Sequence, residues 1–173
     1  MDTLTAINNR RSVRKFSGRV PDDRLIEALL KAAVRAPSAG NLQPWHFYVV
    51  ADEGIKRKLS AAALSQKHVA SAPVVFVACA DPERSAARYG RRGRELYCIQ
   101  DTAAAAQNLL LAAVETGLAG CWVGAFDERE VARVLNMSRD RRPLALIPVG
   151  YPAKPARAAT PRLPLEQVTS RIG

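Results

Sequence analysis

The spacing of apolar residues along the chain indicates helices and strands in alternation. From Pro21 to Ala36 the apolar residues recur with a helical period, so this stretch is predicted to be a helix that begins at Pro21 and ends before Pro37. Val74–Ala80 is instead a continuous apolar run, which is typical of a strand buried on both faces. The chain therefore contains both element types.

The same patterns predict the remaining elements. Further helices are predicted over residues 2–9 with Leu4, Ala6 and Ile7 turned inward, over 52–62, over 95–116 and over 127–135. Further strands are predicted over 45–50, 119–124 and 144–149, with a connector over 64–72 and a polar loop over 81–94. Strands that alternate with helices predict an α/β or α+β protein whose sheet is flanked by helices.

Composition fits a single globular domain in the cytoplasm. The 173 residues are 48% apolar and 24% charged, and no apolar run approaches the length of a membrane span. The start, Met1-Asp2-Thr3, lacks the basic and apolar regions of a signal peptide. The three cysteines are distant from one another and lie in apolar segments, which favours reduced buried thiols. With two histidines and no C-x-x-C, a structural zinc site is not predicted.

The formal net charge of +10 points to an anionic ligand. One possibility is a basic nucleic-acid-binding module, which would show salt-sensitive DNA binding. The arginines, however, are spread along the chain rather than gathered in a tail or a basic–aromatic motif. A small ligand that carries phosphate is therefore favoured, although the chain has no P-loop and no G-x-G-x-x-G after a strand.

The first candidate binding segment is R-R-S-V-R-K-F, residues 10–16. Arginine forks match phosphate oxygens in pairs, and Ser12 adds a hydroxyl donor. Val13 and Phe16 would hold this segment against the core. The alternative interpretation is a solvated basic loop.

The second candidate segment is A-P-S-A-G-N-L-Q-P-W-H-F-Y-V-V, residues 36–50. It begins with turn-forming residues and ends as an aromatic and β-branched strand. Ser38, Asn41 and Gln43 would thus be held at the edge of a sheet, with backbone amides near Gly40 free to face a ligand. The alternative is an ordinary connection between a helix and a strand.

Two further stretches predict a large covered surface. The helix over 95–116 is apolar on almost every side, which is typical of a central helix or a subunit interface. From Pro152 onward four prolines make an extended tail that cannot hold a core of its own, and Arg162 lies on it. This tail is expected to lie on another surface.

Taken together and in this order, four motifs resemble the nitroreductase family of flavoproteins. They are R-R-S-V-R-K-F, P-S-A-G-N-L-Q-P-W-H-F, I-Q-D-T-A-A-A-A-Q-N-L-L-L-A-A and G-C-W-V-G-A-F-D, and the terminal P-R-L-P-L-E-Q-V is also similar to that family's tail. The resemblance implies an α+β fold with a central mixed sheet flanked by helices. It also implies a single FMN-binding domain over 1–173 in an intertwined homodimer, with the tail, 152–173, packed on the partner subunit.

The resemblance also implies which residues bind FMN. Arg10, Arg11, Ser12 and Arg14 would hold the phosphate, the ribityl chain and the pyrimidine edge, and Arg162 would complete the phosphate clamp. Pro37, Ser38 and Ala39 would approach the isoalloxazine from the partner, supported by Asn41 and Gln43, with Gln66 at the flavin edge and Val123, Gly124 and Ala125 near N5. Thr160 stands where the family often has a lysine, so phosphate binding would rest on Arg10 and Arg162.

By resemblance, the activity is that of an FMN-dependent oxidoreductase. A ping-pong cycle would transfer a hydride from NAD(P)H through flavin N5 to a nitroaromatic, quinone or similar acceptor. The cofactor performs the difficult step and the protein supplies binding and electrostatics, so no catalytic side chain is predicted. The alternative within this fold is another flavin chemistry, either reductive dehalogenation or flavin breakdown. Neither a metal, a nucleic acid nor a membrane is predicted as a partner.

Overall fold

The sheet at the centre of the molecule has four strands among the residues that the computed structural model describes, 2–155 and 158–173. The strands are β1 (Trp45–Val50), β2 (Val74–Ala80), β3 (Ala119–Gly120) and β4 (Arg142–Gly150). Their order is β1-β2-β4-β3, and each neighbouring pair is antiparallel. Ser12 adds a parallel bridge to Gly120 at the β3 edge. The predicted α+β class is confirmed.

Helices cover both faces of this sheet. They are α1 (Thr3–Asn9), α2 (Asp23–Ala33), α3 (Glu53–Ala62), α4 (Lys67–Ser71), α5 (Pro82–Arg92), α6 (Cys98–Glu115) and α7 (Glu128–Val134). Side chains of α2 and α6 pack in one apolar cluster with the sheet, and side chains of α3, α4 and α7 pack in a second cluster. The sheet thus lies between two helical layers.

Strand β2 explains why both layers form. Phe76 and Ala78 belong to the cluster with α6, whereas Val75 and Val77 belong to the cluster with α3 and α7. Successive residues of a strand point to opposite faces, so a continuously apolar strand requires cover on each side. Every residue of β2 is buried, as the sequence predicts.

The prediction of a polar loop over residues 81–94 was wrong. The chain forms α5 there, followed by a π-helical turn over Gly93–Tyr97. Asp81 caps the helix by accepting a hydrogen bond from the Arg84 amide at 3.0 Å, and Pro82 occupies the first helical position, where its missing N–H is not needed. The predicted helix over 95–116 accordingly begins at Cys98.

The strand predicted over 119–124 is shorter than expected. Beyond Gly120, the Cys121 amide donates to the Pro148 carbonyl, but proline has no N–H with which to extend the ladder. Pairing resumes where Val123 and Leu146 exchange hydrogen bonds of 2.9 and 3.0 Å. This irregular edge leaves the backbone of Gly124 and Ala125 exposed.

Two terminal segments expose apolar side chains. In α1 only Ala6 is buried, so the inward orientation predicted for Leu4 and Ile7 was wrong. Residues 158–173 are exposed throughout and include Leu163, Leu165 and Ile172. In the described ranges, no helix has both the length and the apolar character to cross a membrane.

Candidate functional site

The basic segment, residues 10–16, lies along the β3 edge of the sheet. Arg10 follows the last turn of α1, and its amide donates to the Ala6 carbonyl at 3.0 Å. Ser12 bridges to Gly120, the Val13 amide donates to the Gly120 carbonyl at 3.0 Å, and Phe16 bridges to Pro152. Backbone pairing to β3 and to the residues just after β4 therefore holds the segment, and Arg14 remains exposed.

A cavity of about 360 Å³ lies between this segment and the tail. Its lining comprises Ile7, Asn8, Arg10, Arg11, Gln107, Ala159, Thr160 and Arg162. We call it the basic cavity. Among the residues that the structure describes, three arginines from two distant parts of the chain thus line one space, and no acidic residue lines it.

The donors of the basic cavity suit a phosphate group. The Nη1 atom of Arg11 donates to the Asn8 and Arg10 carbonyls, while its Nε is buried with no hydrogen-bond partner among residues 2–155 and 158–173. Arg162 Nη1 donates to the Thr160 hydroxyl at 2.9 Å. A buried unsatisfied donor carries a free-energy penalty that an anionic oxygen would remove. The residues present therefore fit the phosphate of FMN.

Arg14 lies close enough to two buried groups to affect their ionisation. Burial lowers the pKa of His68, and the charge of Arg14 lowers it further. Burial raises the pKa of the Cys121 thiol, against the opposing effects of Arg14, Ser12 and Arg10. Burial thus favours the neutral form of both groups, and Arg14 lies near each of them.

His68 is a residue of this region that the sequence alone did not single out. It is buried, and its Nε2 has no hydrogen-bond partner in the described part of the chain. A histidine in the short connector between α3 and β2 gives no signal of burial in the sequence, so only the structure shows it.

Gln66 contacts the segment that follows β3. Its Nε2 donates to the Ala125 carbonyl at 3.2 Å, which joins the residue before α4 to the exposed backbone at Gly124 and Ala125. Val123, by contrast, is buried and pairs with Leu146. Two of the four residues thus offer accessible backbone, one offers an amide side chain and one belongs to the core.

The turn, residues 37–43, is held by its own side chains and by α6. Ser38 Oγ accepts from the Gln43 amide at 3.0 Å, and Gln43 Nε2 donates to the Asn41 carbonyl at 3.3 Å. Gly40, Asn41 and Gln43 all have positive φ angles between 51° and 56°. Such backbone is costly for residues other than glycine and asparagine, so this conformation must be supported by its surroundings.

Asp101 of α6 provides part of that support. Its carboxylate is buried and accepts from the Ala39 amide at 3.1 Å. Burial raises the pKa of Asp101, and the hydrogen bond from Ala39 opposes that rise. Arg84 of α5 adds a second contact by donating to the Gln43 carbonyl at 2.9 Å. The sequence gives no signal for this contact, because an acidic residue in the first turn of a helix is common.

The predicted site residues therefore form two groups with different neighbours. The first group lies around the basic cavity and the β3 edge: Arg10, Arg11, Ser12, Arg14, Gln66, Val123, Gly124, Ala125 and Arg162. The second group is the turn, which contacts α5 and α6: Pro37, Ser38, Ala39, Asn41 and Gln43. No cluster of three or more potential metal ligands occurs within residues 2–155 and 158–173.

The protein is thus of the α+β class, with a helix-flanked antiparallel sheet, a basic cavity near one edge and a turn with positive φ angles near the other. Comparison with known proteins identifies the family within that class. The model of the Nitroreductase family matches residues 7–70 and 56–151. The chain belongs to the nitroreductase family and is an oxidoreductase of that family.

Individual relatives agree with this assignment. An NADH dehydrogenase of Thermus thermophilus is 33% identical in an alignment of 195 positions that spans 97% of this chain and 95% of the relative. The crystal structure of a nitroreductase family protein from Streptococcus pneumoniae superimposes with a TM-score of 0.90 at 25% identity, covering 99% and 100% of the two chains. An NADPH:FMN oxidoreductase from Vibrio harveyi, in complex with NAD⁺, gives a TM-score of 0.89 at 28% identity, covering 98% and 76%.

Proposed function

We propose that the protein is an FMN-dependent NAD(P)H oxidoreductase that reduces a small electron acceptor such as a nitroaromatic or a quinone. The observation that carries this proposal is the basic cavity, in which Arg10, Arg11 and Arg162 converge with the Thr160 hydroxyl. The similarity to an NADH dehydrogenase and to an NADPH:FMN oxidoreductase supports it. When bound, FMN supplies hydride transfer at N5, in a ping-pong cycle with NAD(P)H and then the acceptor.

The residues of the chain bind and orient the cofactor in this proposal. Arg10, Arg11 and Arg162 hold its phosphate through charge-assisted hydrogen bonds. Ser12 contacts the ribityl chain, and Arg14 places a fixed positive charge at the pyrimidine edge of the ring. No side chain is assigned as an acid or a base.

The backbone groups beyond β3 contribute in a different way. Gly124 and Ala125 are exposed, and the Gln66 side chain donates a hydrogen bond to the Ala125 carbonyl. We assign these groups to the N5 side of the flavin ring, with Gln66 at its edge. A fixed backbone donor there would orient the ring at no cost in reorganisation.

We further propose that two copies of the chain build each site. The turn contacts α5 and α6 of its own chain, whereas the basic segment pairs with β3, so each copy offers two separate binding surfaces. In an intertwined homodimer the turn of one copy would face the basic segment of the other. The whole chain, 1–173, is then one FMN-binding domain with residues 152–173 on the partner.

The first prediction concerns the cofactor itself. We expect the purified protein to be yellow and to release FMN on denaturation, because the basic cavity supplies donors for a terminal phosphate. Visible absorbance followed by chromatography of the released chromophore checks this and distinguishes FMN from FAD and riboflavin. A colourless protein that also fails to bind added FMN would contradict the proposed function.

The second prediction concerns the charge of Arg14. Arg14→Ala should lower the reduction potential of bound FMN, because reduced flavin gains negative charge and would lose its counter-charge. A charged hydrogen bond of about 1.5–3 kcal/mol corresponds to a shift of roughly 30–65 mV for a two-electron couple. Titration against a redox dye measures the potential. Lys15→Ala removes a neighbouring exposed charge as a control, and an unchanged potential in Arg14→Ala would contradict the assigned role.

The alternative within the fold is a different flavin chemistry, dehalogenation or flavin breakdown. An inserted lid over the flavin would favour it. The connection from β2 to α6 is short, however, and consists of α5 and one π-helical turn. Family membership likewise favours the oxidoreductase over a nucleic-acid-binding module.

A further inference from the structure

Two arginines and two tyrosines form a row on α5 and the turn that follows it. The Arg88 guanidinium lies 5.5 Å from the centre of the Tyr89 ring, and the Tyr89 and Tyr97 rings meet edge to face at 5.2 Å. The Arg92 guanidinium lies 5.3 Å from the centre of the Tyr97 ring and donates to its hydroxyl at 2.8 Å. We call these four residues the arginine–tyrosine row.

The row reaches the turn at Gly40. A Cβ atom placed on Gly40 would lie 2.6 Å from the Tyr89 hydroxyl and 2.8 Å from Nη1 of Arg88, closer than any side chain could be accommodated without movement. Gly40 also has a φ of +56°, which favours glycine. The guanidinium and phenol groups at this end of the row therefore lie directly against the turn proposed to approach the flavin.

Most other arginines of the segment are already paired. Arg84 lies 3.3 Å from Asp81, Arg91 lies 2.9 Å from Glu95 and Arg94 lies 2.7 Å from Glu83. Arg88 is exposed, and within the described ranges it has no carboxylate partner. Its exposed guanidinium group therefore has donors available to an external anion next to the turn.

We propose that the arginine–tyrosine row binds the phosphate groups of the nicotinamide coenzyme, with Arg88 as the principal contact. The proposal rests on the proposed function, because the turn brings Arg88 to the flavin that the coenzyme must reach. The guanidinium fork matches phosphate oxygens in pairs, and the Tyr89 ring lies beside that fork at 5.5 Å. The net charge of +10 would assist the approach of an anionic coenzyme.

The experiment uses Arg88→Gln in the full-length protein loaded with FMN. Glutamine keeps much of the side-chain length and some hydrogen bonding but removes the charge. Calorimetric titration with 2′,5′-ADP and with ADP measures binding without any redox reaction. We expect affinity to fall on the order of ten- to hundredfold for at least one of them, since hydrogen bonds to charged groups have this strength. A loss confined to 2′,5′-ADP assigns Arg88 to the 2′-phosphate, and a loss with ADP assigns it to the pyrophosphate.

The matched control is Arg91→Gln, which removes the same charge from the same helix at a residue paired with Glu95. It should bind both nucleotides as the unaltered protein does. Equal losses in the two variants would overturn the proposal, because they would indicate general attraction. Unchanged nucleotide affinity in Arg88→Gln would also overturn it, as would a loss accompanied by weaker FMN binding. After any of these three outcomes the proposed function would still stand if the unaltered protein retains FMN and NAD(P)H reduces that FMN.

Discussion

Arg10→Ala and Arg162→Ala are each expected to weaken FMN binding about ten- to hundredfold. Both guanidinium groups line the basic cavity, and each would lose a charge-assisted contact with the phosphate worth about 1.5–3 kcal/mol. Thr160, which stands where the family often has a lysine, accepts from Arg162 and brings no charge of its own. We therefore expect phosphate binding to depend strongly on the remaining arginines.

Quenching of FMN fluorescence on titration of the apoprotein measures these dissociation constants. Arg57→Ala is the matched control, because Arg57 is an exposed arginine on α3 paired with Glu53. It should leave the affinity unchanged, whereas the double variant Arg10→Ala/Arg162→Ala should lose more than either single variant. Retention of normal FMN affinity in both single variants would show that the basic cavity does not hold the phosphate.

The sequence predicted the parts of the fold whose signals are local. The strands Trp45–Val50 and Val74–Ala80 have the predicted bounds, because β-branched and aromatic runs between turn residues have few other options. The prediction of a polar loop over 81–94 failed because Gly90 and Gly93 are residues typical of loops. Gly90 instead makes a kink at φ +54°, and Gly93 fits tightly against the Ser85 carbonyl inside the π-helical turn.

The candidate site depends more on tertiary structure. Nothing local to Arg162 indicates that it lies at the same cavity as Arg10 and Arg11, and only the resemblance to the family put the three together. His68 and Asp101 carry no such signal, because their burial follows from helices that pack from distant parts of the chain. The FMN contacts of Arg10, Arg11 and Arg162 remain predictions.

Exposed apolar side chains on the tail and on α1 predict that two copies of the chain associate. Leu163, Leu165 and Ile172 on the tail are 66%, 75% and 100% exposed, and Leu4 of α1 is 70% exposed. A tail with this much uncovered apolar surface gains stability only by packing on another surface. We expect the protein to be a homodimer with twice the 18.8 kDa mass of one chain, because the tail of each copy would cover the other.

Leu163→Asp/Leu165→Asp should convert this dimer to monomers at micromolar concentration. Each substitution occurs twice in a symmetric dimer, so four buried leucines would be lost, at about 1.5–3 kcal/mol each. A total of roughly 6 kcal/mol or more raises the dimer dissociation constant by about four orders of magnitude. Light scattering measures the mass, and Glu166→Ala, at an exposed polar residue between these leucines and Val168, should leave it dimeric. A monomeric mass for the unaltered protein would contradict the prediction, as would a double variant that stays dimeric, because the tail would then not hold the two copies together.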